Sequence, residues 1–319
     1  MPSSADLQYD VASAISLGQR DFQEDALICD FPMGSDLGFA VLADGMGGHA
    51  AGDIASKIVV TEMFAELKLQ SGDPKGMEDD IGVVLHDAVM NANACICAHS
   101  ESEPGTEGMG ATLVAPVLMA DRLYWISVGD SPLFLFRNGE LSQLNEDHSM
   151  APQIDYLVRT GLMAPETALN HPDRNCLTSV LAGHDIPRID CPDTPMKLRD
   201  GDIVIAASDG LQFLDNSELA DLLGEHSDST SSNISTNLLR CLEELDDPDQ
   251  DNVSFCVIKV QNPARNAGMA QIRPSAGSQI MPRPEVPVAR SRKENVTVMA
   301  SKTDSGVSMY CRISPGRRA

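Results

Sequence analysis

The sequence has little of several features that mark particular classes of protein. Aromatic residues make up 4% of the 319 residues, and the eight cysteines include no Cys-X-X-Cys pair. This excludes a zinc ribbon and a small disulfide-rich fold, and it favours reduced thiols. No apolar run approaches the roughly 18 residues that span a membrane, and the first residues are acidic, unlike those of a signal peptide. We therefore expect a cytoplasmic protein without a membrane span.

Basic residues are also scarce, with 23 Lys and Arg against 47 Asp and Glu and a net charge of −24. Residues 262–319 hold ten basic and three acidic residues, a net of +7, which leaves thirteen basic and 44 acidic residues, a net of −31, in 1–261. An acidic body of this kind repels nucleic acid phosphates, so no nucleic acid partner is expected. It suits divalent cations instead.

A domain boundary is predicted after residue 261, where a strand-like apolar run ends and Asn262-Pro263 follows. Residues 262–319 are rich in Pro, Ser and Arg, a composition typical of a disordered tail. Alternating apolar residues at 295–299 and 307–313 could form a strand or a docking segment. The basic tail could dock on an acidic partner or be dispensable.

Strand-like and helix-like patterns are segregated in residues 1–261, which favours an α+β fold with sheet-on-sheet packing over a doubly wound parallel sheet. Asn138-Gly139 predicts a tight hairpin turn. One continuous helix is predicted at 77–99. The main strands are predicted at 37–43, 111–119, 122–128, 133–137 and 202–208, with the middle three forming an antiparallel meander.

Acidic residues recur where the predicted strands end or begin. Asp44-Gly45 and Asp209-Gly210 follow apolar strands, and Asp251-Asn252 precedes another. A carboxylate beside a buried strand is costly unless a positive charge compensates for its desolvation. Mg²⁺ and Mn²⁺ prefer oxygen ligands, and a glycine lets its carbonyl approach the ion. A single Asp-Gly is usually only a turn, but this recurrence, together with Glu24-Asp25, favours a metal site.

Six short motifs follow one another along the chain: RDFQEDA at 20–26, DGMGGH at 44–49, GMGAT at 108–112, VGDS at 128–131, ASDG at 207–210 and QDN at 250–252. They occur in the order seen in metal-dependent protein phosphatases of the PP2C type, and from about residue 8 to 261 the sequence resembles the bacterial branch of that family. The resemblance implies a central β-sandwich of two mostly antiparallel sheets flanked by helices. It also implies a site for two Mn²⁺ or Mg²⁺ ions in a cleft at one edge of the sandwich.

The resemblance also implies metal ligands. Asp44 would bridge the two metals, and the carbonyl oxygen of Gly45 would bind the second. Asp209 and Asp251 would complete the protein ligands of the first metal.

The remaining acidic residues in the motifs have less definite implied roles. Glu24 and Asp25 match an acidic pair that binds the second metal or orients its waters. Asp130 matches the residue that, together with Asp209, holds a third metal in bacterial relatives.

Arg20 matches the arginine that grips the substrate phosphate, a role that suits its two-pronged guanidinium group. The alternative is a surface ion pair with Asp21 or Glu24. Eukaryotic members have a histidine, proposed to protonate the leaving group, at the position of Met46. His49 is a weaker candidate for that task.

The implied reaction is hydrolysis of phosphoserine and phosphothreonine in proteins, with a metal-bridging hydroxide attacking phosphorus in line. Arg20, Asp44 and Asp209 would be catalytic, and the substrates would be targets of a Ser/Thr kinase. The sequence contains no P-loop and no cysteine followed by a glycine-rich loop and arginine. The alternative is a catalytically weak module of the same fold that binds phosphoproteins.

Overall fold

The computed structural model describes residues 7–47 and 50–262, and the backbone of two strands at 294–303 and 306–315. The chain divides into two compact units, Met1–Ile272 and Arg273–Ala319, which are described separately. The predicted boundary after residue 261 coincides with the end of the last strand of the first unit. The division of the chain at that residue stays a prediction.

The first sheet of the larger unit is antiparallel. Its three central strands are buried along almost their whole length, as expected for a sheet that is covered on both faces. The register places Asp25 directly opposite Asp44, so two candidate ligands lie side by side at one end of the sheet. The strand order is β2 (Asp25–Asp30), β3 (Leu37–Met46), β5 (Leu113–Met119), β6 (Arg122–Val128) and β9 (Met196–Lys197), and β4 (Gly110–Ala111) pairs with the end of β3.

The second sheet is also antiparallel. Its order is β1 (Gln8–Ser16), β11 (Val253–Gln261), β10 (Ile203–Ala207), β7 (Leu133–Arg137) and β8 (Glu140–Gln143). Asn138 and Gly139 join β7 to β8 with φ angles of 54° and 87°. Both angles lie in the left-handed region that a two-residue turn of this type needs. The predicted hairpin turn is confirmed.

The predicted meander of three strands is wrong at its third strand. β5 and β6 pair in the first sheet, but β7 pairs with β8 and β10 in the second. The chain changes sheets through residues 129–132. Gly129 has a φ of 102°, and a Cβ there would lie 2.7 Å from the Thr112 side chain, so the tight passage requires glycine. This crossing places Asp130 where the two sheets meet.

Helices cover the outer faces of both sheets. One apolar cluster joins the first sheet to α1 and α3, a second joins the second sheet to α6 and α7, and a third lies between the sheets. This arrangement confirms the α+β sandwich with flanking helices. The helices are α1 (Ala50–Gln70), α2 (Pro74–Asp79), α3 (Ile81–Ser102), α4 (Ala151–Arg159), α5 (Pro165–Leu169), α6 (Asn216–Glu225) and α7 (Ser231–Leu245).

The single helix predicted at 77–99 is two helices. Asp80 has φ −118° and ψ 22°, which lie outside the helical range, so α2 ends before it and α3 begins after it. Within the described residues, α3 alone is long and apolar enough to cross a membrane by length and composition. Its residues Leu85, Val89 and Ile96 are buried in the cluster beside the first sheet, as in a core helix.

The second unit contains one described feature, an antiparallel pair of strands. β12 (Glu294–Thr303) pairs with β13 (Gly306–Pro315), and Glu294 lies opposite Pro315. The strands include both alternating segments noted in the sequence. Residues 263–293, 304–305 and 316–319 lie outside the described residues, so disorder of the tail at 262–319 stays a prediction.

Candidate active site

The predicted acidic residues meet at one edge of the sandwich. Asp25 begins β2, Asp44 lies near the end of β3, and Asp209 follows β10 at the start of a 3-10 helix, Asp209–Phe213. Asp251 directly precedes Asn252 and β11, and Asp130 lies in the crossing between the sheets. Both sheets therefore contribute carboxylates to the same place, and their charges act on one another.

Asp44 is the centre of this group. Burial raises the pKa of its carboxyl well above the usual range, and the charges of Asp25, Asp209, Asp130 and Asp251 raise it further. The negative charges of four other aspartates therefore repel the Asp44 carboxylate. A cation would relieve the repulsion.

Two neighbouring carboxyls show the same effect. Burial raises the pKa of Asp25 to about 7, and the charges of Asp209 and Asp251 add to the rise, although hydrogen bonds from serine hydroxyls oppose it. Burial also raises the pKa of Asp130 to about 7, with contributions from Asp209 and Asp147. Asp147 was not among the predicted site residues.

Hydroxyl groups hold two of the aspartates in place. Ser208 Oγ donates a hydrogen bond to Asp25 Oδ2 over 2.8 Å. The backbone N–H of Asp44 donates to Thr112 Oγ1 over 3.1 Å, and Thr112 Oγ1 lies 2.7 Å from Ser131 Oγ. Ser208 and Thr112 lie within the ASDG and GMGAT motifs, but neither was predicted to be a site residue.

Close backbone approach explains the glycine at position 45. Its N–H donates to the carbonyl oxygen of Glu24 over 3.1 Å, and a Cβ at this position would lie 2.1 Å from the carbonyl oxygen of Gly52. A Cβ on Gly52 would in turn lie 2.6 Å from Glu24 Oε1. The Glu24 carboxylate therefore lies against the first turn of α1, and the Glu24 N–H donates to Asn252 Oδ1 over 2.7 Å.

Arg20 pairs with a predicted metal ligand. Its Nη2 donates to Asp251 Oδ2 over 2.6 Å, and its side chain is 56% exposed. This ion pair replaces the predicted alternatives, Asp21 and Glu24. The guanidinium group therefore lies at the exposed side of the acidic edge.

The sequence offers His49 as a weak candidate for leaving-group protonation, because Met46 stands at the position of the histidine of eukaryotic phosphatases. Met46 is the last residue of β3 and is 41% exposed, and its thioether carries no proton to donate. His49 lies outside the described residues. A proton donor for the leaving group is therefore not assigned.

The donor set fits hard divalent cations. Asp209 Oδ1 is buried and has no hydrogen-bond partner among the described residues, and burial together with the charge of Asp251 raises the Asp209 pKa. Carboxylate and carbonyl oxygens are the ligands that Mg²⁺ and Mn²⁺ prefer. Within residues 7–47 and 50–262, no three acidic, histidine or cysteine side chains already form a closed ligand set. The carboxylates share an edge, and an ion would have to draw them together.

Comparison with known proteins agrees with this geometry. The family model for protein phosphatase 2C matches residues 17–245. The serine/threonine protein phosphatase PstP of Mycobacterium tuberculosis is 39% identical over 171 residues, which are 53% of this chain and 31% of that protein. This chain thus matches about a third of the length of that relative.

Solved structures show the same fold. The structure of the M. tuberculosis phosphatase PstP/Ppp superposes with a TM-score of 0.64 at 32% identity, covering 80% of this chain and 99% of that one. The PstP catalytic domain in complex with two manganese ions gives a TM-score of 0.63 at 31% identity, with 80% and 99% covered. Because the family model covers well over half of the residues, the chain belongs to the protein phosphatase 2C family.

Proposed function

We propose that the chain hydrolyses phosphoserine and phosphothreonine in proteins with the help of divalent cations. The observation that carries this proposal is the meeting of Asp44 with four other aspartates from both sheets, with Arg20 on the exposed side of the site. Such a concentration of carboxylates is costly for the fold alone and useful for holding cations beside a phosphate. The related PstP domain that contains two manganese ions supports the same choice of metal.

The candidate ligands fall into two sets, one for each of two cations. Asp44, Asp209 and Asp251 would hold one cation, while Asp44, the Gly45 carbonyl oxygen and the acidic pair Glu24-Asp25 would hold or orient the shell of the second. Bound divalent cations supply Lewis-acid activation of water and neutralise charge on phosphoryl oxygens.

Other residues act on the substrate and on the remaining metal. Arg20 would exchange its bond to Asp251 for two parallel hydrogen bonds to the phosphate. Ser208 and Thr112 fix the positions of Asp25 and Asp44. A third cation would take Asp130 and Asp209 as ligands.

Hydrolysis of p-nitrophenyl phosphate and of a phosphothreonine peptide by the full chain tests the proposal. We expect turnover with Mn²⁺ or Mg²⁺ and none with EDTA. Loss of outer-shell partners already costs about 10–100-fold, so Asp44→Asn and Asp209→Asn should each lower kcat/KM more than about 100-fold. Asp87→Asn, at an exposed position of α3, is the matched control and should leave turnover unchanged.

Two outcomes would contradict the proposal. Turnover that persists in EDTA would remove the role of the metals. A folded protein with no turnover in either metal, but with measurable binding of the phosphopeptide, would instead support the phosphoprotein-binding module.

The proposed substrates are phosphoproteins produced by a Ser/Thr kinase, and the name of the relative PstP is consistent with this class. Docking of the basic tail on an acidic partner stays a prediction, as does a cytoplasmic location. Deletion of residues 262–319 should leave hydrolysis of p-nitrophenyl phosphate intact.

A further inference from the structure

Two cysteines from different sheets lie together in the core of the sandwich. Cys29 is on β2 of the first sheet, Cys256 is on β11 of the second, and their sulfur atoms are 3.3 Å apart. Cys256 is fully buried, whereas Cys29 retains partial exposure. The proposed hydrolysis uses neither thiol.

The surroundings give the two thiols different chemistry. The hydrogen bonds with the Cys256 thiol and with the Ser13 hydroxyl lower the pKa of Cys29, although burial opposes them. The same contact and burial raise the pKa of Cys256. Ser13 lies on β1 directly opposite Cys256, so the register of the second sheet places its hydroxyl beside the pair. The thiolate is the reactive form of cysteine, so Cys29 is the attacking thiol and Cys256 is the buried partner.

We propose that Cys29 and Cys256 are a redox modification site, at which a peroxide converts the two thiols into a reversible disulfide between the sheets. The Cys29 thiolate attacks one peroxide oxygen, the O–O bond breaks, and water leaves after protonation. The resulting Cys29 sulfenic acid is attacked by the Cys256 sulfur, the S–O bond breaks, and a second water leaves. Two thiols are oxidised and one hydrogen peroxide is reduced to two waters.

The two sulfur atoms already lie close to bonding distance. Disulfide sulfurs are about 2 Å apart, so the two atoms need to approach by roughly 1 Å. Cys95 and Cys97, the only cysteines close together in sequence, are two residues apart on α3 and therefore face different directions. They do not form a competing pair.

The bond would join two strands that frame the candidate site. Asp25 begins the strand that carries Cys29, and Asp251 lies two residues before the strand that carries Cys256. The disulfide would therefore fix the distance between the two sheets close to these carboxylates. The chemistry of the thiols does not depend on the proposed phosphatase activity, so the two proposals can fail separately.

Peptide mapping of the full chain tests the pair directly. The protein is treated with hydrogen peroxide and then unfolded in guanidinium chloride, free thiols are blocked with N-ethylmaleimide, and the digest is analysed without reduction. No Lys or Arg lies between Cys241 and Cys256, so trypsin is combined with cleavage after glutamate at Glu243 and Glu244. We expect one linked species that joins the Cys29 and Cys256 peptides, about 2 Da lighter than the sum of the two, and its loss after dithiothreitol.

Variants separate the pair from general oxidation. Cys176→Ser removes an exposed thiol and should leave the linked species unchanged. Cys256→Ala should abolish the link and leave a Cys29 sulfenic acid that dimedone traps. The proposal is overturned if wild-type Cys29 and Cys256 both react with maleimide at a peroxide dose that oxidises Cys176, or if Cys29 links to another cysteine. The wild-type map decides this even if the alanine variant does not fold.

Discussion

Strand β10 has an aspartate at each end, and the two ends differ in how the carboxylate is neutralised. Asp202, directly before the strand, is 2% exposed and accepts hydrogen bonds from Arg137 Nε, Arg137 Nη2 and the Arg199 N–H at 2.7–2.8 Å. Asp209, just after the strand, lies among other aspartates and has a buried oxygen without a hydrogen-bond partner among the described residues. The protein supplies its own cation at one end, and at the other end the proposed metal ions would compensate the charge.

This difference separates a carboxylate neutralised by an arginine from the carboxylates of the proposed metal site. Both aspartates adjoin the same buried strand, so burial alone does not distinguish them. Arg137 distinguishes them, because its guanidinium group donates to both oxygens of Asp202 and neutralises its charge at the same time. Where several carboxylates share a site without such partners, a metal site is the more economical explanation.

The largest expected effect on stability comes from removing Arg137, whose guanidinium neutralises Asp202. Arg137→Ala leaves the Asp202 carboxylate buried without its cation, which should lower the free energy of unfolding by about 3–5 kcal/mol. Chemical denaturation in EDTA measures this change. Asp209→Asn under the same conditions should not destabilise the protein, because it removes a repelling charge. An equal loss of stability in both variants would contradict the distinction between the two ends.

Cation binding beside Asp209, at the end of β10 that has no arginine partner, should stabilise the folded protein. At free Mn²⁺ about 100 times its dissociation constant, one binding site adds about 3 kcal/mol to the free energy of unfolding. A rise in Tm with Mn²⁺ checks this for the wild-type chain. The rise should be much smaller in Asp44→Asn and unchanged in Asp87→Asn. A rise of the same size in all three proteins would place the ion elsewhere.

The smallest expected effect is a pH dependence of stability without metal. Asp25 and Asp130 have pKa values of about 7 in the folded protein, against a usual value of 3.8. Between these values the folded state holds protons that the unfolded state has released, so stability should rise as pH falls from about 7 to 5, by about 2 kcal/mol for each carboxyl. Asp25→Asn should flatten this slope in EDTA. A slope as steep as that of the wild type would show that Asp25 titrates normally.

Much of the site could be predicted from the sequence because its residues lie in short motifs. Asp44-Gly45 and Asp209-Gly210 each combine a strand end with an acid, and the structure places both aspartates at the predicted edge. The partner of Arg20 could not be predicted, because Asp251 is distant in sequence and becomes adjacent only when β1 and β11 pair. His49 lies outside the described residues, so its assignment stays a prediction.

The sequence by itself determined the local features: the apolar strands, the Asn138-Gly139 turn and the order of motifs that marks the family. Each of these features depends on residues that are close together in the sequence, or on their order along the chain. Tertiary structure alone decided the crossing at Gly129, the Arg137–Asp202 pair and the contact between Cys29 and Cys256. Each of these depends on which sheet a strand joins and in which register, and a strand's own alternation of apolar residues is the same in either sheet.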